Sequence, residues 1–188
     1  MADVAGKSVP AALLMATLQA SLRTLAALPV HCWNWWDASN NMPAHRTWAG
    51  GDSPTAFLAE PEPATGRLTY VNEGHNWPVL RHVSGAIERL ETGGLSLGIT
   101  PGARYECGHS TLTANDLLLI FTDGLVEAEN DREDEYGEPR MLGILSGAGG
   151  SAGEVLKQLM SSVDAFVGLA RQHDDITCLV LRTFGAGR

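Results

Sequence analysis

The run Leu117-Leu118-Leu119-Ile120-Phe121-Thr122 carries no charge, and its only polar residue is the final threonine. A short, continuous apolar run of this kind is expected of a strand buried on both faces, so structure must cover it on each side. The chain has the material for such layers. Of its 188 residues 44% are hydrophobic and 19% charged, near the globular average, which argues against disorder throughout. That length fits one domain, or at most two small ones.

Around this run the pattern alternates between helix and strand. Pro10 suits the first turn of a helix, where its missing N–H costs nothing. Leu14, Leu18, Leu22 and Leu25 then share one helical face, and Pro29 closes the segment. Residues 55–60 and 67–72 are apolar-rich and flank a Pro- and Gly-containing linker, which predicts a hairpin. Residues 79–82 and 87–90 flank Ser84-Gly85 and predict a second. Further strands are expected at 105–112 and 176–181. Residues 152–169 have helical spacing, and Ser151 followed by Glu154 has the form of a capping box. Segment 31–54 holds Trp33, Trp35, Trp36 and Trp48 among Asn, Ser, Pro and Gly, with no sustained period. It reads as an atypical loop or insertion with aromatic anchors. The acids of 127–138 read as a solvated loop.

Charge and cysteine content exclude several functions. Thirteen Lys and Arg against 22 Asp and Glu give a net charge of −9. A broad nucleic-acid-binding face or an anionic membrane partner needs clustered positive charge instead. The apolar stretch 9–30 is interrupted by Gln19, Ser21 and Arg23 and reads as a buried helix, not a membrane span. The first residues include Asp3 and Lys7 and lack the apolar core of a signal peptide. Cys32, Cys107 and Cys178 form no CxxC pair, so neither a zinc knuckle nor a disulfide framework is expected, and the cytoplasm is the expected location.

Carboxylates stand at the ends of apolar runs in three places. Asp3 lies in Asp3-Val4-Ala5-Gly6-Lys7, Asp123 follows the 117–122 run and precedes Gly124, and Asp174-Asp175 precede the last strand. Carboxylates that converge on a sheet edge repel one another unless a cation lies between them. Hard divalent ions such as Mg²⁺ and Mn²⁺ prefer those oxygens. A neighbouring glycine lets the backbone approach closely. Any one Asp-Gly pair, taken alone, is more often a turn.

Five motifs occur together. Residues 3–16 (Asp-Val-Ala-Gly-Lys-Ser-Val-Pro-Ala-Ala-Leu-Leu-Met-Ala) resemble the metal-binding strand end and first helix of the SpoIIE/RsbU-type serine/threonine phosphatases. These belong to the metal-dependent protein phosphatase (PPM) family. Tyr70-Val-Asn-Glu-Gly-His-Asn76, Gly93-Gly-Leu-Ser-Leu-Gly98, the segment 118–128 containing Thr122-Asp123-Gly124, and Asp174-Asp-Ile-Thr177 resemble that group's other motifs, in the same order. The resemblance covers residues 2–30 and 55–184. It implies an α+β fold, an α-β-β-α sandwich of two antiparallel sheets, with 1–188 as a single domain. It also implies hydrolysis of phosphoserine or phosphothreonine, with two Mn²⁺ or Mg²⁺ ions activating a water for in-line attack. Carried over residue by residue, Asp3 would bridge the ions, the Val4 carbonyl would be a backbone ligand, and Asp123 and Asp174 would hold one ion. Asp175 matches the position beside a ligand. The substrate class implied is a phosphorylated anti-anti-sigma-type regulatory protein, and both a sensor domain in a longer chain and a dimer are compatible with the resemblance. His75 and Asn76 are expected to shape a turn, and His173 to be a loop residue.

The chain also departs from that pattern. The family domain has some tens of residues before the Asp3 motif, including a Gly-Gly-Asp motif that supplies a ligand, whereas this chain starts two residues before Asp3. Gly50-Gly51-Asp52 has the same letters but lies after the first helix and lacks the following aromatic-Asp pair. Lys7 stands where some distant relatives carry a His. The expectation is therefore an amino-terminally incomplete phosphatase domain. The alternatives are a catalytically impaired pseudophosphatase or partner-binding module, or a gene fragment.

Overall fold

The computed structural model describes residues 1–4, 9–26, 54–97 and 105–184. The tryptophans of segment 31–54, Gly50-Gly51-Asp52 and Lys7 lie outside the described residues. In chain order the elements are β1 (Ala2–Val4), α1 (Val9–Ala26), β2 (Pro54–Glu62), β3 (Arg67–Glu73), β4 (Val79–Arg81), β5 (Ile87–Arg89), β6 (Gly93–Gly94), β7 (Gly108–Thr111), β8 (Leu117–Phe121), α2 (Gly137–Gly147), α3 (Ala152–Val167) and β9 (Cys178–Arg182). A 3₁₀ turn, Asp123–Leu125, follows β8. The chain divides into two compact units, Met1–His75 with Leu90–Thr111, and Asn76–Arg89 with Leu112–Arg188.

Among the described residues the first unit has one sheet and one helix. Strand β2 pairs antiparallel with β1 on one side and β3 on the other. The far edge of β3 is shared: Arg67 to Tyr70 pair antiparallel with β7, while Asn72 and Glu73 pair in parallel with β6. This two-residue parallel pair is a local exception in a sheet otherwise antiparallel, as expected. It arises where Gly93 presses so closely on Asn72 that a Cβ there would stand 1.8 Å from the Asn72 carbonyl oxygen. Side chains alternate across the sheet. Ala56 and Val71 face Leu18 of α1, with Leu97 and Tyr105 completing that cluster. Thr55, Phe57, Tyr70 and Asn72 therefore point to the opposite face. Phe57 and Tyr70 meet there with ring centroids 5.7 Å apart.

The second unit is a four-stranded antiparallel sheet in the order β5-β4-β8-β9. Every residue of β8 is buried, as its apolar run requires. Leu117, Leu119 and Phe121 face the two helices and pack with Tyr136, Met141, Leu145, Val155 and Leu159. The 127–138 loop is largely solvated, but Tyr136 at its end is fully buried and donates from its hydroxyl to Ser162 Oγ at 2.9 Å. His82 ties the β4–β5 hairpin to the start of β8, with Nδ1 3.2 Å from the buried Asp116 carboxylate and Nε2 3.1 Å from Glu88.

Helix α3 begins at the capping box expected from sequence. Ser151 Oγ accepts from the Glu154 backbone N–H, and the Ser151 N–H donates to the Glu154 carboxylate at 2.6 Å. A Ser151→Ala variant removes one of these two bonds. It should cost about 1 kcal/mol, read as a drop in thermal midpoint of about 2–4 °C.

Candidate functional site

Two stretches of the second unit meet at the end of β8. Thr122 is held to Thr177 twice: its N–H donates to the Thr177 carbonyl at 3.0 Å, and its Oγ1 accepts from the Thr177 N–H at 3.0 Å. The same hydroxyl donates to the Asp175 carbonyl oxygen at 3.2 Å. These bonds bring the loop before β9, with Asp174 and Asp175, against Asp123-Gly124. The approach is close enough that a Cβ on Gly124 would stand 2.6 Å from the Asp175 carbonyl oxygen. Glycine is therefore required here for contact and not for an unusual φ. Asp123 is half-buried, and its Oδ1 accepts from the Gly124 N–H at 2.9 Å, which fixes one carboxylate oxygen. Asp174 and Asp175 are exposed, and β9 starts at Cys178, so the acidic pair sits in the loop and not directly against the strand as the sequence suggests.

Electrostatics mark this end of the unit. The Glu127 carboxyl has its pKa raised, first by partial burial and then by the negative charges of Asp123, Glu135 and Asp174. Three carboxylates are thus near enough to Glu127 to oppose its ionisation, and a cation would relieve that opposition. The donor set is all oxygen, which fits a hard divalent ion. Among the described residues no three His, Cys, Asp or Glu side chains already converge as a cage. A cavity of about 240 Å³ opens beside these groups, lined by Gly124, Glu127, Glu135 and Asp174, with Arg171 and His173 as its basic members. His173 lies in the loop, as expected, with Nδ1 2.9 Å from Glu129. Glu127 belongs to the acidic segment read from sequence as solvated loop. The signal that sets it apart is its place four residues after Asp123.

Asp3 and Val4 belong to the first unit. They lie on β1, opposite Thr55 and Pro54 respectively. Thr55 Oγ1 and His75 Nδ1 share a hydrogen bond of 3.1 Å. His75 is buried, and its N–H donates to Asn72 Oδ1 at 2.8 Å, while Asn72 Nδ2 donates to the Leu90 carbonyl. His75 does shape the turn after β3, as expected from sequence, and it also reaches across to β2. Gly74 precedes it at φ +72, where a side chain would also collide with Ser96. Residues 72–75 and Gly93 to Ser96 are thus engaged in packing and turn formation.

Comparison with known proteins adds the following. The stage II sporulation protein E (SpoIIE) family profile matches residues 1–184. The phosphoserine phosphatase RsbU of Bacillus subtilis is 27% identical over 184 residues, spanning 97% of this chain and 54% of RsbU. Protein IcfG of Synechocystis is 23% identical over 127 residues, or 68% of this chain and 20% of that protein. The chain thus spans about half or less of the length of these curated relatives. Among solved structures, the SiaA-PP2C domain of Pseudomonas aeruginosa superposes with a TM-score of 0.82 at 18% identity, covering 96% of this chain and 73% of that one. RsbX in complex with magnesium gives 0.67 at 18% identity, covering 95% and 77%. At such identities the likeness shows the fold, that of PP2C-type phosphatase domains.

Proposed function

The chain belongs to the SpoIIE family of PPM-type protein phosphatases, and we propose that residues 1–188 form a single domain hydrolysing phosphoserine or phosphothreonine on a regulatory protein of the anti-anti-sigma type. The observation that carries this reading is the close approach of the Asp174-Asp175 loop to Asp123-Gly124 at the end of β8, held by the Thr122–Thr177 bonds. RsbU is named for phosphoserine hydrolysis, and RsbX has been solved with magnesium. In this reading Asp123 and Asp174 would hold one Mn²⁺ or Mg²⁺, with Asp175 beside them in the second unit, and Asp3 and the Val4 carbonyl are the ligand candidates of the first unit. Such ions would polarise the phosphoryl oxygens and lower the pKa of the attacking water. The chain's own part is to hold its carboxylates in place: the Thr122–Thr177 bonds fix the Asp174 loop, and the Gly124 N–H orients Asp123. Arg171 and His173 are the basic groups lining the cavity, where a phosphate would meet them. No helix among the described residues is long and apolar enough to cross a membrane.

The test is phosphate release from a phosphoserine peptide and from a phosphorylated anti-anti-sigma-type protein. Release should require Mn²⁺ or Mg²⁺ and stop on addition of a chelator. A cooperatively folded chain that takes up Mn²⁺ yet releases no phosphate from either would overturn hydrolysis and favour a partner-binding role.

A further inference from the structure

We propose that Thr55, held by His75, is a positioning residue for the Asp3 carboxylate. The inference rests on the metal-dependent reading above and adds to it a residue pair that the sequence motifs do not single out together. Asp3 and Thr55 are directly opposed on neighbouring antiparallel strands, so their side chains share a face with Cβ atoms about 5 Å apart. That face is the one turned away from α1, because Ala2 and Ala56, their immediate neighbours, pack in the α1 cluster. A threonine hydroxyl can serve one partner as donor and another as acceptor. Here one of its bonds is to His75 Nδ1, so the hydroxyl keeps capacity for a second partner on the face it shares with Asp3.

The support behind Thr55 is built into the fold. His75 is only 3% exposed. Its backbone is pinned by Asn72, itself buried and bonded to the Leu90 carbonyl. Burial and the pinned backbone restrict the imidazole that meets the Thr55 hydroxyl. Buttressing of this kind around a ligand changes metal affinity by about 10- to 100-fold when it is removed.

Mn²⁺ titration calorimetry on the 188-residue chain tests the proposal, with the thermal midpoint of the metal-free protein as a parallel readout. Thr55→Val keeps the shape and removes the hydroxyl. It should weaken Mn²⁺ binding about 10- to 100-fold and leave the metal-free midpoint nearly unchanged. Thr55→Ser, which restores the hydroxyl, should bind within about threefold of the original chain. If Thr55→Val proves unstable, His75→Asn, which keeps a polar atom near the Nδ1 position, should retain affinity that His75→Leu loses. Unchanged affinity in Thr55→Val, or equal losses in the Val and Ser variants, would overturn the proposal alone. A folded original chain that takes up no Mn²⁺ would overturn the metal-dependent reading and the proposal with it.

Discussion

Asp123→Ala should lower metal-dependent phosphate release by a thousandfold or more while the chain stays folded. The size follows from what the carboxylate would supply. A ligand whose loss weakens an ion stabilising phosphoryl transfer removes several kcal/mol of transition-state stabilisation, and about 4 kcal/mol corresponds to a factor of about a thousand. The fold should survive because Asp123 is half-buried and its carboxylate is bonded locally, to the Gly124 N–H. The apolar packing below it, by Leu125, Phe121 and Tyr136, does not involve the carboxylate. Two further readouts separate a ligand from a structural residue. Mn²⁺ affinity should fall in the variant. The Glu127 carboxyl, one source of repulsion having been removed, should titrate closer to its ordinary value, which NMR of the side-chain carbon would show. Asp123→Asn, which preserves the bond to Gly124, should be as inactive as the alanine variant. Turnover within a few-fold of the original in either variant would remove Asp123 from the proposed metal set.

How far the sequence reveals this site depends on the distance over which each feature is encoded. Strand β8 is legible because burial on both faces leaves an unbroken apolar run, and the α3 start because a capping box is a short local signal. Helix α2 is not foreseen. Its eleven residues include Gly137, Gly143 and Gly147 as well as Pro139, and locally these read as breakers. What makes the segment helical is burial of Met141 and Leu145 against α3 and the second sheet, a tertiary gain that outweighs propensity. Strand β6 is equally hidden. Two glycines read as a turn, and only the structure shows that they allow β6 to press on Asn72.

The carboxylates divide in the same way. Asp123 and Asp174 stand out singly at the ends of apolar runs, but only the resemblance joins them, because spacing cannot show that β8 and β9 pair and so bring their ends together. The link between Thr55 and His75 spans a strand, a turn and a second strand, and no local pattern marks it. The fifth tryptophan, Trp77, is half-exposed just after the Tyr70–Asn76 motif.

Glu73 leads to the second large effect, on stability. It lies on β3 two residues after Val71, so it points to the same face, toward the cluster formed by Leu18, Leu97 and Tyr105. It is fully buried, and among the described residues neither carboxylate oxygen has a hydrogen-bond partner. Burial pushes its pKa up to about 7 from an ordinary 4.5. Burial, with the nearby Glu73 charge as a second cause, also carries the Tyr105 hydroxyl to about 12. The folded state then binds the Glu73 proton more tightly than the unfolded chain does. Stability should therefore be greatest below about pH 4.5 as far as this group is concerned, fall as pH rises toward 7, and level off above it. The full loss is about 3 kcal/mol, because each pH unit separating the folded and unfolded pKa values is worth about 1.4 kcal/mol. A Glu73→Gln variant cannot ionise, so its unfolding free energy should lack this decline. His82 titrates in an overlapping window. Burial draws its pKa down, but hydrogen bonds to Glu88 and Asp116 carry it above its usual value, so its stabilisation is also lost as pH rises. That contribution is common to both proteins and cancels in the difference between their curves. Glu73→Met should go further. It replaces a buried charge that lacks a hydrogen-bond partner with an unbranched apolar side chain, and at pH 8 it should raise the thermal midpoint by about 6–12 °C. Urea unfolding of the original chain and the Gln variant from about pH 5 to about pH 8 decides the matter. Parallel curves would mean that Glu73 is ionised, and accommodated, throughout.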